Sequence, residues 1–154
     1  MFNLLSLLRR KKAKLSPRQQ AGRAAERAAE RFLRKRGYRI FARNVAYPQG
    51  EVDLVAVEKR SGAVCFIEVR SREADGGRPQ VAPEETVTEA KRRRVIRAAR
   101  RFLAQQRRGP ARRWEPDGPP IRFDVVAVRF EGPDRTEPDI RHYPGAFDVH
   151  GRLL

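Results

Sequence analysis

EVDLVAVEKRSGAVCFIEVR, residues Glu51 to Arg70, is the stretch whose reading decides the fold. Two runs rich in valine, isoleucine and phenylalanine, Glu51 to Glu58 and Ala63 to Arg70, read as strands, and Ser61-Gly62 between them reads as a tight hairpin turn. The same stretch places charge where a sheet core should be apolar. Asp53 sits among Val52, Leu54 and Val55, and Glu68 and Arg70 flank Val69. Burying such groups is costly unless they are paired or hold a metal.

Side chains alternate along a strand, so Glu68 and Arg70 are expected on one face, about 7 Å apart. Facing residues of an antiparallel hairpin keep a constant index sum. A two-residue loop pairs Asp53 with Arg70, and a four-residue loop pairs Asp53 with Glu68; either leaves all three on one face, whereas a three-residue loop sends Asp53 to the other. Two carboxylates beside a cation suit a Mg²⁺ or Mn²⁺ ion held against a phosphate, because hard cations take oxygen ligands. Strand-end ion pairs with neighbouring arginines are the plainer reading of the same residues.

Outward from the hairpin the elements alternate. Ser16-Pro17 reads as a helix start, with Ala21, Ala25, Ala28, Ala29, Phe32 and Leu33 on one face and Gly37 as the left-handed stop. Tyr38, Ile40 and Val45 mark a first strand that turns at Pro48, Gln49 and Gly50. Ser71 to about Glu85 reads as a long polar loop, and a second helix is expected from about Thr86 to Arg107, with Val87, Ala90, Ile96, Ala99, Phe102 and Leu103 inside. A further loop holds Trp114, which stacks on an unpaired base or anchors its own loop. Ile121 to Phe130 alternates as a strand, and Asp139 to Tyr143 suggests a short edge strand. The order helix, three strands, helix, strand predicts an α/β fold, α-β-β-β-α-β, whose central mixed sheet is flanked by helices.

Composition bounds the partners. Lysine and arginine number 35 against 19 aspartate and glutamate in 154 residues, for a formal net charge of +16. Clustered cations displace condensed counterions from a polyanion, so a nucleic acid is the expected partner, with an anionic membrane surface as the rival. Cys65 is the single cysteine, and His142 and His150 are the two histidines, which leaves any metal to carboxylates and points to a reducing cytoplasm. Met1 to Leu8 is apolar and the basic run Arg9 to Lys14 follows it. That is the reverse of a secretory signal and too short to span a bilayer, so residues 1–16 are expected as a basic tail, with interfacial anchoring as the alternative. Residues 17–147 are expected as one domain and 148–154 as a C-terminal tail.

Gly22 and Glu26 with Ala29, Phe32 and Leu33, then Gly37-Tyr38, Arg43-Asn44, Gly50-Glu51-Val52-Asp53-Leu54, Phe66-Ile67-Glu68-Val69-Arg70-Ser71-Arg72, Lys91 and Arg122-Phe123-Asp124-Val125-Val126 together resemble the YraN-like family of uncharacterised bacterial proteins. The resemblance covers about residues 17 to 147. That family is similar to the PD-(D/E)xK nuclease superfamily, and the resemblance implies a restriction-endonuclease-like core. It further implies Asp53 and Glu68 as metal ligands, Glu26 as a helix carboxylate facing the metal or its waters, and Arg70 in the motif's lysine position. Arginine there stays protonated and supplies only charge and hydrogen bonds.

The expected function is therefore a Mg²⁺- or Mn²⁺-dependent endonuclease acting on DNA, branched or single-stranded, in the bacterial cytoplasm. The alternative is an inactive nuclease-fold module that binds DNA or RNA. Asp53, Glu68, Arg70 and Glu26 are the candidate catalytic residues. Arg70, Arg72, Lys91 and Arg94 are the candidate contacts to nucleic acid, DNA ahead of RNA, with no small-molecule cofactor. Lys91 has a plain alternative as a solvated helix lysine. Glu51 either ends its turn or serves as a further acidic group.

Overall fold

Ser16 starts the first helix by capping it. In the computed structural model, which describes residues 15–73, 87–106, 120–130 and 137–154, its hydroxyl accepts the Gln19 N–H at 3.2 Å while the Gln19 side chain accepts the Ser16 N–H at 2.9 Å. This reciprocal box satisfies amides that a helix start leaves unpaired. Helix α1 (Pro17–Lys35) then buries Ala25, Ala28, Ala29 and Leu33, and Gly37 with φ +87° releases the chain into the sheet.

Five strands follow: β1 (Tyr38–Tyr47), β2 (Gly50–Glu58), β3 (Val64–Glu73), β4 (Ile121–Phe130) and β5 (Pro138–Phe147), with helix α2 (Glu89–Gln106) between β3 and β4. The sheet order is β1-β2-β3-β4-β5. Pairings are antiparallel except β3 with β4, which run parallel from Val64↔Ile121 to Glu73↔Phe130. A parallel pair needs a long crossover, and α2 lies within it. The fold is thus the expected α/β arrangement with a mixed sheet between helices, extended by a full fifth strand.

Three boundaries differ from the sequence reading. β3 runs on through Glu73, because its parallel ladder to β4 supplies partners for Ser71, Arg72 and Glu73, which were expected to open a loop. β5 spans ten residues rather than the short edge segment 139–143. α2 starts at Glu89, later than expected, because Thr88 caps it: Thr88 Oγ1 accepts the Lys91 N–H at 3.2 Å. Its buried side is Val95, Ile96, Ala98, Ala99 and Phe102, while Ala90 is exposed. The first fourteen residues of the basic tail, Trp114 and the loop beyond Glu73 lie outside the described residues.

Each helix covers one face. α2 packs with Val55, Val64, Phe66, Phe123, Val125 and Phe147, and α1 with Leu54, Ala56, Cys65, Ile67, Val126 and Val128. β2 and β3 are consequently apolar on both faces, as expected of strands sandwiched between layers. Residues 148–154, read as a tail, instead fold back. Phe147 bridges to Leu153, and Arg92 Nε of α2 donates to Gly151 O at 2.7 Å. Among the described residues no helix is long and apolar enough to cross a membrane.

Asp124 carries the fold's fully buried charge. Its Oδ1 accepts from Arg122 Nε at 2.8 Å and Gly145 N at 2.9 Å, and its Oδ2 meets Arg122 Nη2 at 3.0 Å and His142 Nε2 at 2.8 Å. Arg122 also donates to the Tyr38 hydroxyl at 2.8 Å. This network pins β4, β5 and the start of β1, and it leaves no oxygen of Asp124 free for other work.

Candidate active site

The hairpin register resolves the alternatives left by the sequence. Leu54 faces Ile67, Val55 Phe66, Ala56 Cys65 and Val57 Val64. Glu58 N–H donates to Ala63 O at 2.9 Å, so the loop is the four residues 59–62 rather than Ser61-Gly62 alone. The reason is local chemistry. Gly62 N–H closes back on Glu58 O at 2.8 Å, Ser61 Oγ donates to the Glu58 carboxylate, and Gly62 adopts φ +73°. One step beyond the Leu54↔Ile67 pair, Asp53 stands opposite Glu68.

At that step the ladder is replaced by a side chain. Asp53 Oδ2 accepts the Val69 N–H at 2.8 Å. Val52 packs in the α2-side core and Leu54 in the α1-side core, so the two-residue alternation breaks at Asp53. On its other flank β1 pairs Arg43 with Leu54 and Val45 with Val52, leaving Asn44 opposite Asp53. Asn44 has φ +48°, a left-handed conformation that asparagine tolerates better than most residues.

Glu68 is 2% exposed, and its Oε2 has no hydrogen-bond partner among the described residues. Burial, and then the adjoining Asp53 charge, push its carboxyl up to about 8, against the pull of Lys91 and Arg70. Burial likewise raises Asp53, opposed by the Val69 N–H and by Lys91. Glu26 on α1 is raised by burial and by Asp53, while a hydrogen bond from Asn44 acts the other way. All three carboxyls therefore sit in one electrostatic neighbourhood.

The cations come from two elements. Lys91 Nζ lies 2.8 Å from Glu51 Oε1 and 3.4 Å from Glu68 Oε1, and Arg70 Nη1 lies 3.9 Å from Glu68 Oε1. Burial would lower the Lys91 ammonium's pKa, but the Glu51 hydrogen bond and the charges of Glu68 and Asp53 raise it. Lys91 thus stays protonated, and it draws Glu51 below the usual carboxylate range. It is not the solvated helix lysine of the plain reading.

Gly50 explains how α2 comes so close. A Cβ built there would stand 2.0 Å from the Arg94 carbonyl oxygen, so only glycine admits the helix backbone against the start of β2. Glu51, next along, meets Lys91 one helical turn before Arg94. The exposed Arg94 adds its charge near Glu51. Arg72 is in β3 at a register position two beyond Arg70, and its side chain lies outside the described residues.

The structure thus gathers Asp53, Glu68, Arg70 and Lys91, with Glu26 beside them. Among the described residues no group of three or more His, Cys, Asp and Glu is placed to hold a metal ion. Glu26 stands beside Asp53, with its carboxyl hydrogen-bonded by Asn44. Sequence reasoning underrated Glu51 and gave Asn44 and Gly50 no part in the site. Gly50 read as a turn residue, and nothing in the sequence shows which helix backbone it must admit.

Comparison with known proteins gives the chain a family. Residues 25–128, which include Asp53, Glu68, Arg70 and Lys91, match the model of the uncharacterised protein family UPF0102. A UPF0102 protein of Syntrophotalea carbinolica is 42% identical over 130 residues, covering 84% of this chain and 93% of its own. One from an Anaeromyxobacter species is 44% identical over 135 residues, covering 88% and 90%. One from Myxococcus xanthus is 40% identical over 141 residues, covering 90% and 98%. On this match along most of its length, the chain belongs to UPF0102, the YraN-like family.

Proposed function

We propose that the protein is a Mg²⁺- or Mn²⁺-dependent endonuclease that hydrolyses phosphodiester bonds of DNA. One observation carries the reading: the Oε2 of Glu68, buried beside the Asp53 carboxyl with no hydrogen-bond partner among the described residues. An orphaned buried carboxylate oxygen costs free energy unless something binds it. The donor set fits a hard divalent cation, since Mg²⁺ is commonly held by one or two carboxylates with water and substrate phosphate completing its shell. The resemblance to the PD-(D/E)xK superfamily and the net charge of +16 favour the same reading.

Asp53 and Glu68 would hold the cation, which when bound supplies charge to the phosphoryl oxygens and acidifies the attacking water. Asp53 is fixed for that task by the Val69 N–H. Lys91, kept protonated by Glu51 and Glu68, donates to a phosphate oxygen and is not the base. Arg70 also stays charged. In the hydrolysis the water oxygen bonds to phosphorus, one P–O ester bond breaks, and the leaving oxygen ends protonated. The water's proton passes to solvent or to a carboxylate, since neither cation has room for it.

The test is cleavage of linear, flapped and four-way DNA with Mg²⁺ or Mn²⁺. Wild type is expected to cut, and Asp53→Ala and Glu68→Gln are expected not to. Equal cutting by all three preparations removes the proposal. A second reading, a binding module without turnover, is favoured by Lys91 standing 3.4 Å from Glu68, where it already offers that carboxylate a cation. It predicts salt-sensitive DNA binding and no cleavage with either metal.

A further inference from the structure

The sheet register carries charge from the candidate site to the far edge. Glu68 pairs with Val125 and Val125 with Tyr143; two residues on, Arg70 pairs with Ala127 and Ala127 with Arg141. Paired residues project from one face of a sheet, so Arg70 and Arg141 share the face of Glu68. They stand two strand spacings apart, about 10 Å, with Ala127 between them in the register. At the next step Arg72 pairs with Arg129 and Arg129 with Asp139, so the run of cations on β5 stops at Arg141.

This part of the face is open to solvent. α2 packs chiefly over β2 and β1. The side chains of Arg70 and Arg141 are 41% and 60% exposed, and Ala127 is partly exposed between them. Arg141 has Asp139 at 3.8 Å, an exposed pair too long for a hydrogen bond, and such pairs hold little in water. Both guanidiniums remain available as planar forks suited to phosphate.

We propose that one strand of a nucleic acid crosses this face, leaving the carboxylate site over Ala127, with one phosphate on Arg70 and a later one on Arg141 at the sheet edge. The placement of the scissile phosphate rests on the hydrolytic reading above; the binding track does not. An acidic peptide fits less well, because the spacing of its carboxylates is set by its sequence and not by a regular backbone. A backbone of evenly spaced phosphates also uses both arginines at once.

The experiment measures binding of a labelled DNA oligonucleotide, single-stranded and duplex, to the full chain in EDTA over a salt series, followed by cleavage with Mg²⁺. Arg141→Ala is expected to lower the slope of log affinity against log salt by about one. Arg141→Glu is expected to weaken binding about tenfold at moderate salt, while Arg31→Glu, exposed on the α1 layer, shifts it less than about twofold. Melting curves confirm that the variants fold. If Arg141→Glu binds like wild type, or Arg31→Glu loses as much, the track is wrong, even where cleavage is seen. If the Arg141 effect appears but no preparation cuts, the track stands and the hydrolytic reading fails.

Discussion

Lys91 and Glu68 meet across the gap between α2 and β3, with Nζ 3.4 Å from Oε1. The motif position on β3 holds Arg70, which reaches Glu68 only at 3.9 Å. On the proposed hydrolytic reading, the helix delivers the lysine that the superfamily motif places on the strand. Lys91→Gln should lower single-turnover DNA cleavage by about 100-fold, the usual scale for losing one preorganised charge on the reacting group. Arg70→Lys should change it less than about tenfold. A ranking in the opposite order would return the central role to Arg70.

Glu68 makes stability depend on pH with a definite sign. Its carboxyl is raised from 4.5 to about 8 in the folded protein, so across that interval the native state keeps a proton that the unfolded chain has lost. Its contribution is fully present below pH 4.5 and is lost as pH rises through about 8. Metal-free protein should therefore lose up to about 1.4 kcal/mol per pH unit from this group. Urea denaturation at several pH values should show the decline, and Glu68→Gln should flatten it.

The same proton competes with a metal. Mn²⁺ affinity, measured by calorimetry or by its paramagnetic resonance signal, should rise with pH over that interval by up to about tenfold per unit. In Glu68→Gln both the affinity and its pH dependence should drop. A wild-type affinity that does not change with pH would show that Mn²⁺ binds elsewhere.

Gly50→Ala puts a methyl carbon 2.0 Å from the Arg94 carbonyl oxygen, backbone that cannot swing aside. The helix must lift away from β2, at a cost of about 1–3 kcal/mol by the usual scale of overpacking. Lys91 should then lose its grip on Glu51. Urea midpoints report the first effect. Cleavage falling further than the residual folded fraction explains reports the second.

Asp124→Asn tests the network away from the site. Burial alone would raise this carboxyl, but His142, Arg122 and Gly145 together hold it below its ordinary value. Its contribution is therefore present at neutral pH and is lost as pH falls through that lowered value. The variant should lose about 3–5 kcal/mol at pH 7, as expected for breaking a buried charge pair, and the difference from wild type should shrink in acid. Metal binding should survive in whatever fraction stays folded.

Local chemistry was enough to place most elements. Ser16-Pro17 and Gly37 bound α1 because capping and left-handed backbone are properties of a few neighbouring residues, and Ile121 to Phe130 shows its strand through its own apolar pattern. Where the signal depends on a partner, the reading slipped. β3 continues to Glu73 only because β4 lies alongside, and β5 is long only because β4 gives it a ladder.

The candidate site divides the same way. Asp53, Glu68 and Arg70 stand out in the sequence because charge inside an apolar strand has to be compensated, which is a fact of solvation and needs no coordinates. Which of them face each other was set by the loop 59–62, whose closure by Gly62 and Ser61 chose one register from several of similar local quality. The arrival of Lys91 and the alignment of Arg141 with Arg70 were decided only by tertiary structure. Both depend on how elements far apart in the chain pack and pair, and such contacts leave no periodic trace in either segment alone.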